Sequence, residues 1–553
     1  MNKMNELSVS YMGKSIKCHY GICADLALKL LGVNDEGIIA LRLNNEIVPL
    51  KTQLLVDSEL EGVYLDSAEG AMIYRRSLTF ILEIAAYKLF PERILSIGHS
   101  LGISYYYNFD AGKNPSKKEI SSLEKTMKAI VNEDITILPR LLSYKKALEI
   151  FSENRQDYTV SLLKQRSTPV IKVNECKGFV DIFIEPLVPR TGILDSFELM
   201  PYKGGFLLRF PAIGGGKIIE PFEDEPEIFK VYKDYKKWGR IIGVRSAVEI
   251  NNLTASGDIK EYIKIAEAHQ SRKIFEVAQQ INNQKEKIKI VLLAGPSSSG
   301  KTTSAKRLAI ELMVMGIKPI AISLDDYYVG TEKTPKDENG EPDYECLEAL
   351  DTDYLNEQLL DIYKGKEVTL PHYDFKTGIQ IKNKGRKIHL DRRMVLIVEG
   401  IHALNDALTK DIARDTKFKL YVSALTQLNL DNHNRIPTSD NRLLRRIVRD
   451  YYFRGKDAVF SINIWPKVQA GERKYIFPFQ NTANAALNTA LDYELPVLKY
   501  FADPILRAVK PDRKEFSESS RLLSFLENFI PIQPQLVPGT SILREFIGGS
   551  NFE

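Results

Sequence analysis

The chain has 553 residues, more than one compact core ordinarily holds, and at roughly 150 residues per domain it calls for about three or four units. Hydrophobic residues make up 44% and charged residues 27%, which excludes wholesale disorder, a collagen-like fibre and a disulfide-stapled miniprotein. The 76 basic residues nearly cancel the 72 acidic ones, and the formal net charge of +4 gives no global drive toward nucleic acid or an anionic membrane. Cys18, Cys23, Cys176 and Cys346 lack the paired spacing of a zinc site or a disulfide framework, which fits small buried thiols in a reducing compartment. Met1 to Tyr11 carries no signal-peptide pattern, and no apolar run approaches the ~20 residues of a membrane span. A cytoplasmic protein is expected, with no membrane partner.

In chain order, Leu7, Val9 and Tyr11 alternate with polar residues, as do Ile16, Cys18 and Tyr20, and Gly13-Lys14 between them predicts a hairpin. A short helix from Ala24 to Leu31 ends at Gly32, and Ile38 to Val48 turns at Asn44-Asn45. Strand, strand, helix, strand suggests a β-grasp unit over 1–66. An α+β unit over 67–212 follows, with helices predicted at Ser77–Leu89 (ended by Pro91), Ser121–Val131 and Leu142–Asn154, and strands at Phe179–Ile184 and Phe206–Phe210. The glycines 214–216 mark a boundary. A largely helical connector occupies 213–284. From 285 to 553 apolar runs at Ile288–Ala294, Pro319–Leu324, Met394–Val398 and Phe418–Val422 alternate with helical stretches, starting with Thr302–Met315. That alternation predicts an α/β domain, a parallel sheet flanked by helices.

Gly295-Pro296-Ser297-Ser298-Ser299-Gly300-Lys301-Thr302 fits the phosphate-binding pattern G-x-x-x-x-G-K-[ST] between a strand and a helix. Its glycines let the backbone approach phosphate, and the helix start adds positive potential. Gly295, Ser297, Ser298, Ser299, Gly300, Lys301, Thr302 and Thr303 are therefore the expected nucleotide site. Lys301 would reach the β/γ oxygens and Thr302 would hold Mg²⁺. Asp325 and Asp326 follow a strand, at the end of a parallel sheet where ligands gather, and a carboxylate there can take the proton of an attacking hydroxyl. Glu399, at the end of another strand, could hold Mg²⁺ through water or orient the loop. Arg442, Arg445, Arg446, Arg449 and Arg454, with Lys456, form a basic cluster, and Arg442, Arg445/Arg446 and Arg449 share one helical face. Repulsion among them calls for anions, and a transferring phosphoryl group supplies one.

These motifs, spread over about 285–510, resemble the uridine kinase and phosphoribulokinase family. Ser323-Leu324-Asp325-Asp326-Tyr327-Tyr328 places Asp325 at the family's catalytic acid. Asp343-Tyr344-Glu345 through Asp351 is similar to the acidic segment near the nucleoside sugar. Pro371-His372-Tyr373-Asp374-Phe375 resembles P-x-Y-D-F, Val398-Glu399-Gly400-Ile401 resembles the strand-end E-G-I, and Asp440 to Asp450 resembles the arginine lid. The resemblance implies catalytic roles for Asp325, Lys301, Arg442, Arg445 and Arg449. It also implies substrate contacts from Asp325, Glu345, Tyr373 and Arg446, and ATP with Mg²⁺ on Thr302 and Glu399. Two departures bear on the acceptor: Gly378 stands where a base-contacting histidine is usual, and Tyr344-Glu345-Cys346-Leu347 replaces F-D-H-P. His372 and His402 lie near the expected site and read as packing or surface residues.

Residues 1 to about 212 resemble the N-terminal region of threonyl-tRNA synthetase, a TGS-like β-grasp domain and an editing-type domain. The clearest stretches are Tyr87 to Phe109, Val180-Asp181-Ile182 and Pro189 to Gly192. That family's H-x-x-x-H and C-x-x-x-H positions fall on Arg76, Phe80, Phe183 and Leu187, which cannot ligate zinc. No editing activity and no metal site are expected in this region. The chain as a whole is expected to be an ATP-dependent nucleoside kinase acting on a small-molecule acceptor as a homo-oligomer. The rivals are a phosphoribulokinase-like sugar kinase and a nucleotide-gated RNA-binding protein, although the near-neutral charge gives RNA little support. The C-terminal stretch Ser541 to Ser550 has no evident role in the sequence.

Overall fold

A computed structural model describes residues 6–109, 113–337, 340–374, 377–389, 391 and 393–552. The segment Met1–Asn5 and Phe375, both used in the sequence reading, lie outside these residues.

The first unit is a five-stranded sheet. Glu6–Tyr11 pairs antiparallel with Lys14–His19, so that Met12 and Gly13, both at positive φ, make the two-residue turn. Tyr20 lies outside the strand and is exposed. Ile38–Leu43 turns through Asn44-Asn45 into Glu46–Val48 as expected. One strand went unpredicted: Ser58–Tyr64 inserts between the first and third strands, parallel to one and antiparallel to the other. The helix Ala24–Leu30 seals one face, with Ala24, Ala27 and Leu28 against Leu7, Val9, Leu41 and Leu60.

The second unit is built on a helix that starts nine residues before the predicted Ser77. It runs Ala68–Leu89, with the Ser67 hydroxyl accepting from the Gly70 amide. Leu142 and Ser143, predicted helical, end the strand Leu138–Ser143, and the helix begins at Tyr144. This helix and its neighbours stand with a three-stranded and a four-stranded sheet. Several of those strands, among them Leu95–Ser100, Ser104–Phe109 and Val170–Cys176, carry no clear period-2 signal because tertiary partners cover both of their faces in part.

The fourth sheet is wholly parallel, with strands in the spatial order Lys318–Ser323, Met394–Glu399, Ile290–Ala294, Lys417–Ser423 and Ala485–Asn488. The central strand is buried throughout. Ile290, Leu292 and Ala294 face one layer, which includes Phe229 and Tyr232 of the helix Pro226–Ile242. Val291 and Leu293 face the other, which includes Ile274, Val277 and Ile281 of the helix Ile259–Asn282 and Leu308 and Leu312 of Lys301–Val314. The stretch read as a connector therefore supplies covering layers on both faces of the sheet. A further core joins Phe151, Ile171 and Val180 of the front half to Leu444, Tyr493 and Phe546 of the C-terminal half. Among the described residues, no helix is long and apolar enough to cross a membrane.

Candidate active site

The parallel register brings the chemistry to one edge. Leu293 and Ser323 both stand opposite Glu399, so the phosphate loop, Glu399 and the Asp325 segment leave the sheet side by side. This is the carboxyl edge, where strand order reverses about the central strand and ligands bind in open α/β sheets.

The loop demands its glycines. A Cβ on Gly295 would lie 1.9 Å from the Val422 carbonyl oxygen, and Gly300 sits at φ +81° with its Cβ position 2.7 Å from Ile542 Cγ2. Lys301 turns its ammonium inward, donating to the Gly295 and Pro296 carbonyls at 2.9 and 3.1 Å. Burial pulls its pKa down, and Glu399, Asp325, Glu545 and Glu472 oppose that pull. The Ser298 and Ser299 hydroxyls are buried without a hydrogen-bond partner. Two loop amides already hold carboxylates: Ser297 N–H donates to Glu472 Oε1 at 2.9 Å, and Thr303 N–H to Glu545 Oε2 at 2.9 Å. A backbone cradle with inward donors and orphaned hydroxyls, filled by acidic groups, fits the phosphates of a nucleotide. Thr302 is exposed at the mouth of this cradle.

Asp325 is exposed to solvent at this edge. Lost hydration raises its pKa, and Lys301, Arg454 and Arg449 draw it back down. The Ser323 hydroxyl accepts the Asp325 N–H at 3.3 Å, fixing the turn. Burial, with Asp325 adding repulsion, pushes Glu399 up to about 7. Asp326 serves a different end: its Oδ1 accepts the Tyr373 amide at 3.3 Å and lies 3.6 Å from His372 Nδ1, which ties down the segment His372–Asp374.

The arginines divide into two groups. Arg442 (3% exposed) pairs with Glu472 at 2.5 Å, and Arg445 (0% exposed) pairs with Glu494 and donates to the Thr489 carbonyl at 2.8 Å. Both lie beneath the phosphate loop, committed to buried carboxylates. Arg446, Arg449 and Arg454 instead converge on the single buried carboxylate of Asp450, at 3.2, 2.9 and 3.6 Å. Arg446 also donates to the Ser297 hydroxyl at 2.9 Å. Three guanidinium groups against one carboxylate leave an excess of positive charge beside Asp325 and the loop. Lys456 stands apart, over the Phe460 ring.

Glu345 approaches the arginine side across Gly471, whose Cβ position is 2.7 Å from Glu345 Cβ. Burial and then repulsion from Glu472 push it up to about 7, while Arg446 and Lys301 pull the other way. Tyr373 is buried with its ring 5.5 Å from Tyr328, which meets Tyr344 edge-on at 5.7 Å. His402 is buried, held neutral by desolvation that lowers its pKa to about 4, and packs on Tyr475. At Gly378, φ is +68°, a conformation that disfavours the histidine usual there, and a Cβ would lie 2.1 Å from Thr331 Oγ1, a side-chain atom that would have to turn away.

Glu472 and Glu545 went unnoticed in the sequence. They lie 175 and 242 residues from the amides they meet, and no local spacing marks them. Glu545 belongs to the unassigned tail, which packs on the site: Ile542 covers Gly300, and the Phe546 ring lies 4.8 Å under the Arg445 guanidinium.

Residues 290–494 match the family model described as Phosphoribulokinase / Uridine kinase family. The threonine–tRNA ligase of Desulfovibrio desulfuricans is 33% identical over 147 residues, covering 27% of this chain and 23% of that protein. The threonine–tRNA ligase of Thermoplasma volcanium is 32% identical over 168 residues, covering 30% of this chain and 25% of that protein. The chain thus spans about a quarter of the length of these curated relatives. A solved structure, that of a possible uridine kinase from Bacillus stearothermophilus, is 20% identical and covers 39% of this chain and 98% of its own, with a TM-score of 0.27. The C-terminal region of the chain resembles the phosphoribulokinase and uridine kinase family, and its N-terminal region resembles threonyl-tRNA ligase domains.

Proposed function

We propose that the chain is an ATP-dependent kinase that phosphorylates a hydroxyl of a small molecule, with a nucleoside as the first candidate acceptor. The observation that carries this reading is the meeting of Asp325, the phosphate loop and the Arg446–Arg449–Arg454 group at one sheet edge. ATP with Mg²⁺ would supply the transferable phosphoryl group, the metal held by Thr302 and, directly or through water, by Glu399. The amides of residues 297–303 bind phosphate, and Lys301 neutralises charge on the transferring group. Asp325 accepts the acceptor hydroxyl proton as the new O–P bond forms and the bond to the leaving diphosphate breaks. Arg446, Arg449 and Arg454 stabilise the charge that develops, and Arg442 and Arg445 hold the loop and the arginine helix in register. Tyr373 and Glu345 line the acceptor side.

The front half, on this reading, is a β-grasp domain (1–66) and an editing-like α+β domain (67–212) kept for binding or association. Gly378 supports a second reading, a sugar kinase of phosphoribulokinase type, because a glycine at positive φ stands where the family's base-contacting histidine is usual.

The test is ADP release measured across a panel of nucleosides and sugars. Acceptor-dependent turnover is expected, and Asp325→Asn, which cannot take the proton, should lower kcat by about 10²–10⁴-fold with Tm little changed. Turnover that requires RNA and no small acceptor would overturn the proposal.

A further inference from the structure

A second group of buried polar side chains lies where the front half meets the C-terminal half. Glu83 comes from the helix Ala68–Leu89 and Asp181 from the strand Phe179–Ile182. His433 comes from the loop between the strand Lys417–Ser423 and the helix Thr438–Arg454. One ligand atom from each lies within 4.8 Å of the others. Glu83 is 3% exposed and Asp181 6% exposed. Neither Glu83 oxygen has a hydrogen-bond partner, and neither does Asp181 Oδ1. Burial, with repulsion among Glu83, Asp181 and Asp431, raises both carboxyl pKa values, Glu83 well above the usual carboxylate range and Asp181 to about 7. The metal-free site therefore favours their protonated forms, and a cation in their midst would displace those protons and offset the cost of ionising them in a dry site. Arg76 does not supply it by a direct bond, since its guanidinium donates to Asn434 Oδ1 at 2.5 Å.

The loop that presents His433 is held in place. Asp431 Oδ1 accepts the His433 and Asn434 amides at 2.9 and 2.8 Å, and Thr159 donates to Asp431 Oδ2 at 3.0 Å. The imidazole Nδ1 stands 3.5 Å from Glu83 Oε2 and 3.4 Å from Gln156 Nε2. A cavity of about 40 Å³, bordered by Glu83, Gln156, Phe179 and His433 but not by Asp181, adjoins two of the three groups and has room for a water ligand.

We propose that Glu83, Asp181 and His433 bind a divalent transition-metal ion, Zn²⁺ in the first instance, which staples the front half to the segment leading into the arginine helix. One imidazole and two carboxylates suit zinc, with water completing the coordination, whereas magnesium and calcium take oxygen ligands alone. Supporting bonds to ligand-bearing loops, as Asp431 makes here, orient first ligands and raise affinity. The site differs from the positions where the synthetase resemblance lacks its ligands. Arg76, Phe80 and Glu83 follow one another along one face of the helix, so a carboxylate appears a turn beyond those positions, and the histidine comes from the other half of the chain.

The full chain, stripped with a chelator and desalted, is titrated with ZnCl₂ alone by calorimetry. Co²⁺ serves as a visible-absorption probe of the same site. One equivalent is expected to bind, to raise Tm, and to give ligand-field bands with Co²⁺. Glu83→Gln and His433→Ala should each weaken binding at least about tenfold and abolish the Tm increment. Glu83→Gln keeps the shape while removing a buried ionisable group whose pKa burial already raises, so it should fold with an unchanged or higher metal-free Tm even where His433→Ala does not fold. Absence of stoichiometric uptake by the parent, or uptake of equal affinity in Glu83→Gln, would overturn the assignment.

Discussion

Arg445 and Arg449 sit four residues apart on one helix, and burial gives them opposite jobs. Arg445 is enclosed between Glu494, the Thr489 carbonyl and the Phe546 ring. Truncating it leaves Glu494 as a buried, unpaired charge, so Arg445→Ala is expected to cost about 3–5 kcal/mol and to appear as a sharply lower Tm. Arg449, with its side chain 14% exposed, shares Asp450 with two other guanidinium groups. Arg449→Ala should leave Tm nearly unchanged and lower kcat by about 10²–10³-fold, the usual size for one lost donor to developing charge. Helical spacing groups all these arginines on the cleft side. It cannot show that Glu472 and Glu494 arrive from other elements to claim two of them.

At the scale of elements, the tail is the clearest case of function hidden from local sequence. Ser541, Ile542 and Leu543 are fully buried, and Glu545 bonds the Thr303 amide at the start of the helix that follows the phosphate loop. A carboxylate on that amide competes with phosphate for the same donor, and when displaced it remains a like charge nearby. Glu545→Gln is therefore expected to tighten nucleotide binding several-fold, read by titration with a fluorescent ATP analogue. Equal affinity in parent and variant would show that the carboxylate leaves the site without cost. The strands and helix around the phosphate loop were legible because a fully buried parallel strand reads as an apolar run and glycine marks its end. Ala485–Asn488 was not, since four residues with a polar end carry too little pattern.

Across the whole molecule, the sheet's covering layers extend beyond the boundary at 285. The helices Pro226–Ile242 and Ile259–Asn282 join the apolar layers on the two faces of the sheet, both packing on the edge strand Ala485–Asn488 and the second also on the helix Lys301–Val314. A fragment starting at 285 would lose those covers and expose apolar surface of that edge strand and of the helix Lys301–Val314. It is expected to aggregate, while a fragment starting at 213 should give more soluble material in size-exclusion chromatography. The core that joins Phe151 and Val180 to Leu444 and Phe546 extends the same dependence into the front half. Stability of the arginine helix is therefore tied to residues some 260–290 positions earlier in the chain.

The sequence alone determined the parallel sheet, the phosphate loop, the acids at its edge and the arginine cluster. Each of these is local: a run, a turn or a helical face is specified by residues within a few positions of one another. Only the tertiary structure decided which arginines are committed to buried carboxylates, that Glu472 and Glu545 hold amides of the phosphate loop and of the helix after it, and that Gly378 stands at positive φ against Thr331. It alone placed His433 beside Glu83 and Asp181. Those facts depend on contacts between residues 30 to 350 positions apart, where chain connectivity sets no distance and packing sets all of it.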